Sequence, residues 1–385
     1  MHALLETLTA ERDEIAAWRH ALHRRPELAL HEHETAATIA GLLRGFGCEV
    51  TEGVGGTGVV ASISAGTSAR AIGLRADTDA LPIPEMAENA DKSEIPGRSH
   101  ACGHDGHTAM LLGAARHLAR TRHFDGTVRL IFQPAEETMD GALAMLKDGL
   151  LERFPMQAAF GLHNMPGLEQ GKLYFTAGPV MAAVDNWEIV LTGKGSHGSM
   201  PEKSIDPVVA AASLVMALQT VVSRNVAPHD AAVVSVGALL AGDAANVIPQ
   251  SATLRISVRS ASPETRALVL GRIKAITAAQ AACYGAGNEI REGTAGAVLL
   301  NDPAQTESCT QIARALLGDD NVVNPGPTFM GSEDFAFVAE RLPSVYAFIG
   351  NGDTPMPHHP MYRFEDRNLP IGAAYWVALA ESWLR

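Results

Sequence analysis

The sequence concentrates its chemistry in residues 99–108, Ser99-His100-Ala101-Cys102-Gly103-His104-Asp105-Gly106-His107-Thr108, which hold three histidines, one of the chain's four cysteines and an aspartate. Neutral imidazole and thiolate bind borderline-soft divalent metals. Cys102 and His104 stand two apart, so on an extended segment their side chains point the same way, and the glycines let the backbone turn tightly beside a ligand. The stretch has the makings of one wall of a metal site. On its own it also reads as a His-rich surface loop.

Other donors follow short apolar runs. Asp77 and Asp79 come directly after residues 71–76, Glu136 and Glu137 after residues 127–133, and His163 sits in Phe160-Gly161-Leu162-His163-Asn164, while His358 and His359 lie near the C-terminus. Groups just beyond strand ends stand where open α/β sheets bind ligands. A single aspartate there reads equally as a turn cap. Three strands in succession delivering Asp, Glu-Glu and His point to one sheet edge. The set suffices for two divalent ions with a bridging water. Two ions about 3.5–4 Å apart polarise a carbonyl and lower the pKa of bound water toward ~7, and hydrolysis also needs one carboxylate free to move protons. Consecutive side chains diverge, so one of Glu136 and Glu137 is expected to ligate and the other to act as general base.

These groups need elements to position them. Periodicity predicts helices over residues 11–24, ended by Pro26, and from His31-Glu32-His33-Glu34 onward, read as a solvated helix start. Strands are predicted at 58–64, 71–76 and 127–133, with a helix at 107–118. Strands at 187–192, 231–239, 251–260 and 288–292, with helices at 206–222 and 263–284, give the order β-α-β-β-α-β. That is the ferredoxin-like signature, complete within about 110 residues and inserted as a second domain. A helix at 303–317, a strand at 345–349 and a helix at 371–384 then resume the first pattern. Gly193-Lys194-Gly195-Ser196-His197-Gly198 matches G-x-G-x-x-G, yet Pro201 intervenes before the helix and no acid lies between Asp206 and Asp230. A dinucleotide fingerprint requires both. The loop is read instead as presenting His197.

At 385 residues the chain exceeds the ~250–300 at which one core stops growing, so two domains are expected. A net charge of −13 argues against nucleic acid or an anionic membrane surface as partner. The N-terminal residues have no signal-peptide pattern, no run reaches the roughly 18 uninterrupted apolar residues of a span, and the four cysteines lack disulfide-scaffold spacing. A cytoplasmic protein is expected.

Taken together, Leu22-His23-Arg24-Arg25-Pro26-Glu27-Leu28, Arg75 to Pro82, His100 to Thr108, Gln133-Pro134-Ala135-Glu136-Glu137, Gly161-Leu162-His163-Asn164, Asn246-Val247-Ile248-Pro249, Met330-Gly331-Ser332-Glu333-Asp334-Phe335 and His358-His359-Pro360-Met361-Tyr362 span nearly the whole chain. In these motifs the sequence closely resembles the dinuclear metallopeptidase family of aminoacylases, carboxypeptidases and deacylases, in its branch of hippurate hydrolases and auxin-conjugate amidohydrolases. The resemblance implies Cys102, His104, Glu137, His163 and His358 as metal ligands, with His359 a neighbour, and Glu136 as general acid/base. It implies Asp79, and to a lesser extent Asp105, as carboxylates that orient ligands, His197 as an oxyanion contact in cis or from a partner subunit, and Asn246 and Arg259 as grips on a substrate carboxylate.

The implied fold is an α/β catalytic domain (1–182 and 294–385) with a central mixed β-sheet flanked by helices, plus an inserted ferredoxin-like lid and dimerisation domain (183–293). The implied activity is hydrolysis of N-acyl amino acids with two divalent ions (Zn, Mn, Co or Ni) by a homodimer or homotetramer. A dipeptidase or carboxypeptidase using the same site is the alternative among enzymes, and a structural zinc protein the alternative outside them. Glu202, where relatives often carry a histidine, and the small apolar segment 293–299 depart from the family pattern.

Overall fold

The computed structural model describes residues 2–385. The chain begins with helices His2–Ala10 (α1), Arg12–Arg24 (α2) and His33–Gly45 (α3). The antiparallel pair Glu49–Val54 (β1) and Gly58–Ala65 (β2) follows. Ala71–Asp77 (β3), helix His104–Thr121 (α4), Gly126–Gln133 (β4) and Ala158–Met165 (β5) then build the centre of an eight-stranded sheet. Its order is β1-β2-β4-β3-β5, then Ser344–Gly350, Leu173–Tyr174 and Val322–Val323.

β4, β3, β5 and Ser344–Gly350 run parallel, and β3, β5 and Ser344–Gly350 are buried along their whole length, as expected of strands covered on both faces. Register does the positioning. Asp77 pairs opposite Gln133, Arg75 opposite Gly161, and Phe348 opposite His163. The segments leaving these strands therefore start at one level of one sheet edge. The helix Asn368–Trp383 and α4 are largely buried against the same core.

The chain divides into two compact units, one of residues up to 180 with 300–328 and 334–385, the other of residues 181–299 with 329–333. The second unit has its own core around Trp187, Leu214, Leu254 and Ile273. Its sheet runs Ala232–Leu240, Ser251–Ser260, Ala183–Thr192, Gly287–Gly296, all antiparallel, with helices Pro207–Asn225 and Pro263–Cys283 at the crossovers. Asp206 caps the first helix through Val208 N–H (2.8 Å), and Ser262 caps the second through Thr265 N–H (3.1 Å), each followed by a first-turn proline. The helix Pro207–Asn225 is long and apolar enough to cross a membrane by length and composition, a span the count of uninterrupted apolar residues did not register; its buried face packs on this sheet.

Candidate metal centre

Residues 99–108 do not adopt the extended form expected. Gly103 turns the chain at φ +94°, and α4 begins at His104 rather than at 107. Cys102 and His104 converge because of that turn. A Cβ on Gly103 would sit 2.4 Å from both Asn164 Oδ1 and Tyr362 Oη, so only glycine fits.

The three histidines of this stretch take three different roles. His104 Nδ1 faces Asp79 Oδ1 at 3.1 Å, and its Nε2 has no hydrogen-bond partner among the described residues although the ring is fully buried. His107 is spoken for on both sides. Its Nδ1 lies 2.6 Å from Asp77 Oδ1, and its Nε2 lies 2.7 Å from Asn164 Oδ1 and 3.0 Å from Asn164 N. His100 is buried, and burial lowers its pKa to about 4, so it is neutral. Only His104 aims an open nitrogen at the carboxylates.

His163, near the end of β5, donates Nδ1–H to its neighbour Asn164's carbonyl (2.5 Å), leaving the Nε2 lone pair 3.4 Å from Cys102 Sγ. Burial holds its pKa down, so the ring is a neutral donor. The turn after β4 brings Glu136 Oε2 to 4.0 Å and Glu137 Oε1 to 3.8 Å from His104 Nε2. Glu137 Oε2 lies 3.2 Å from His358 Nε2, and Cys102, Glu137 and His358 bring one ligand atom each within 4.8 Å of one another. Asp79 serves both walls, since its other oxygen accepts Glu137 N–H at 3.0 Å. His358, at φ +67°, is half-exposed, and hydrogen bonds to Cys102 and Glu137 raise its pKa to about 10. His359 Nδ1 turns away to accept Met361 N–H.

The donor set passes a physical test for cations. Five anionic or potentially anionic groups, Asp77, Asp79, Cys102, Glu136 and Glu137, crowd His104 and His163 in a buried space. His104 Nε2 and Glu137 Oε1 are orphaned there. Burial disfavours a charged His104, yet Asp77, Cys102 and Asp79 outweigh it and hold its pKa well above the ordinary value. Neighbours that favour the charged form of a buried imidazole mark a site short of positive charge, which divalent cations supply.

A second charged network lies behind α4. Asp105 Oδ2 accepts from Arg19 Nη1 (3.0 Å) and His23 Nδ1 (2.9 Å), both on α2 and both buried. Arg19 also pairs with Asp91 and with Asp366 (2.7 Å), and His23 Nε2 meets Glu85 Oε1 at 3.2 Å. Asp105 is therefore tied to α2 and does not touch the donors. Sequence reasoning missed His107, Asn164, Tyr362 and Arg19 as supports; the polar Arg19 and His23 on the inward stripe of α2 with Ile15 and Leu22 were the available signal. The helix start at His31-Glu32-His33-Glu34 is only partly solvated, because Glu32 is fully buried.

The remaining residues lie in the second unit. His197 is exposed and pairs opposite Val247, next to Asn246, whose carbonyl accepts Gly198 N–H (2.7 Å). His197 Nδ1 accepts Ser199 N–H (3.1 Å), which leaves the proton on Nε2. Arg259 is partly buried on Ser251–Ser260 and donates to Ser332 Oγ at 2.6 Å.

Buried imidazoles, a cysteine sulfur and paired carboxylates at parallel strand ends define a metal-dependent hydrolase class of site. The chain belongs to peptidase family M20/M25/M40, whose profile matches residues 73–382. It is 42% identical to a hippurate hydrolase of Campylobacter jejuni over 95% of this chain and 96% of that protein. It is 38% identical to an N-acetyl-L-cysteine deacetylase of Bacillus subtilis over 96% of this chain and 87% of the relative. A crystal structure of a dinuclear metal-binding M20 peptidase from Bacillus subtilis superposes with a TM-score of 0.86 at 34% identity, covering 98% of this chain and 99% of that one.

Proposed function

We propose that the chain is a metal-dependent amidohydrolase that cleaves N-acyl amino acids, hippurate-like or N-acetylated, into a carboxylic acid and a free amino acid. One observation carries the proposal: a single turn presents two adjacent carboxylates, Glu136 and Glu137, to the same buried imidazole, His104. A structural metal site has no use for the second carboxylate. The hippurate hydrolase and deacetylase relatives support the substrate class.

Cys102, His104, Glu137, His163 and His358 would hold two divalent cations (zinc, manganese, cobalt or nickel), which when bound polarise an amide carbonyl and acidify water. Glu136 takes a proton from the attacking water as the C–O bond forms. It passes that proton to the amide nitrogen as the C–N bond breaks. His197 donates Nε2–H to the developing oxyanion, from the same or a partner subunit. Arg259, with Asn246, receives the free α-carboxylate through its planar fork. Asp79 orients His104 and the Glu137 backbone, and Asp105 anchors the start of α4.

Residues 1–182 and 294–385 are assigned as the catalytic domain and 183–293 as the lid and dimerisation domain. Exposed Val208, Val209 and Met216 support self-association through the latter, as a dimer or tetramer. Four unpaired cysteines, three of them buried, suit a cytoplasmic setting.

The test is a panel of hippurate, N-acetyl amino acids and dipeptides on metal-stripped protein reloaded with single metals. Higher kcat/KM on the N-acyl amino acids is expected, with Arg259→Met raising their KM about 10-fold or more. Preference for dipeptides would make the chain a peptidase. One tight zinc with no turnover under any metal would make the site structural.

A further inference from the structure

We infer that Glu32 is a positioning residue for the turn that carries Glu136, fixing the aim of the general base through the backbone of Ala135. The inference rests on the role proposed for Glu136. Glu32 stands at the start of α3, about one hundred residues from the turn in sequence. Its side chain is fully buried and makes no ion pair among the described residues. Burial without a cation pushes its pKa up, so the position disfavours a carboxylate, and what the side chain offers there is the bonds it makes. Those are two: Oε2 accepts from Thr57 Oγ1 (2.6 Å) and Oε1 accepts from Ala135 N–H (2.8 Å).

Ala135 is the residue that needs holding. It lies at φ +52°, in the left-handed region that a residue with a Cβ occupies only at a cost of about 1–2 kcal/mol, and it is fully buried. Its carbonyl accepts from Gly141 N–H (3.1 Å), and a Cβ on Gly141 would sit 1.6 Å from the Pro134 carbonyl oxygen. The turn is therefore pinned at its carbonyl side by the following loop and at its N–H side by Glu32. Two residues on, Asp79 accepts Glu137 N–H. Two carboxylates thus bracket Glu136. Asp79 also touches a proposed ligand, whereas Glu32 touches neither ligand nor base and acts only through Ala135. Release of that N–H lets the backbone relax away from φ +52° and swings Glu136 relative to His104, while Asp79 still holds Glu137.

Only an acceptor is required at this position, so a glutamine can replace Glu32 and an apolar residue of the same length cannot. Glu32→Met, Glu32→Gln and Glu27→Ala are to be compared with wild type for metal content by elemental analysis, thermal midpoint, and kcat and KM on hippurate or the best N-acetyl amino acid. Glu27 caps the same helix through Glu34 N–H and Thr35 N–H and so controls for general loosening of α3. The expected result is a kcat about 10–100-fold lower in Glu32→Met with KM within about twofold and metal content unchanged. Recovery to within about threefold of wild type is expected in Glu32→Gln, and no kcat loss in Glu27→Ala despite a lower midpoint. If Glu32→Met does not fold, Thr57→Val frees one anchor of the same carboxylate and is expected to lower kcat about twofold to fivefold at unchanged KM. Unchanged kcat in the folded variant, loss of metal in parallel with kcat, or an equal loss in Glu27→Ala would each overturn the inference. Failure of wild type on every N-acyl amino acid would instead overturn the proposed function.

Discussion

The two units are each built of a sheet and helices and put their polar groups in opposite places. In the parallel centre of the first, Asp77, Gln133 and His163 lie at or near strand ends at 1%, 1% and 7% exposure, and each is bonded to a neighbour from another segment. In Ser251–Ser260 of the second, buried and less buried residues alternate, and Arg255 meets Glu188 across the sheet with side chains 63% and 35% exposed. The difference follows from how each sheet is covered. A parallel sheet packed on both faces has no surface for polar side chains, so they gather where the strands end. An antiparallel sheet with one covered face spreads them into solvent, where charge pairs contribute little.

Three substitutions test this contrast, taken from the largest effect down. His104→Ala removes the one open nitrogen that faces both glutamates. A loss of kcat/KM on the order of 10³-fold with substoichiometric metal is expected, well beyond the 10–100-fold that outer partners of a metal site cost. Full metal content with near wild-type turnover would show that strand-end burial does not build the site.

The next concerns the network behind α4. Burial alone would depress His23, but the Asp105 carboxylate beside it, with Glu85, raises its pKa from 6.5 to about 9. Its proton therefore stabilises the fold fully below about pH 6.5, and that contribution is lost as pH rises through about 9. The increment is about 3 kcal/mol. Denaturant unfolding of metal-stripped protein across this range should show wild type losing that much relative to His23→Gln. Parallel pH profiles for the two would contradict it.

The smallest effect belongs to the second unit. Arg255→Ala should change unfolding free energy by no more than about 0.5 kcal/mol in chemical denaturation. A loss of several kcal/mol there would mean that exposed charge matters as much as buried charge in this molecule.

Much of this was legible in the chain. The helix Pro303–Leu317 falls where residues 303–317 were predicted because Asp302 and Pro303 write its start chemically, and Asp302 does accept Gln305 N–H at 2.8 Å. β1 was not predicted, since Glu49–Val54 is a polar edge strand whose pairing with β2 leaves most of its side chains unburied. The early start of α4 was hidden by glycine, whose left-handed turn at Gly103 no periodicity reveals. The donors were readable because each follows a buried run. Their supports were not, because a hydrogen bond such as His107 to Asn164 joins residues 57 apart that only the packing of α4 on β5 brings together. Glu32 is buried where a solvated helix start is expected, because it stands three before Thr35 and seven before Ile39, in line with the inward face of α3.

The central claim is that one carboxylate of the pair moves protons while the other holds metal, and Glu136→Gln tests it most directly. The substitution keeps size and hydrogen bonding but removes the base. Elemental analysis and steady-state kinetics on an N-acyl amino acid should show wild-type metal content with kcat lowered by about 10²–10⁴-fold. Substantial turnover by a fully metallated Glu136→Gln enzyme would contradict it.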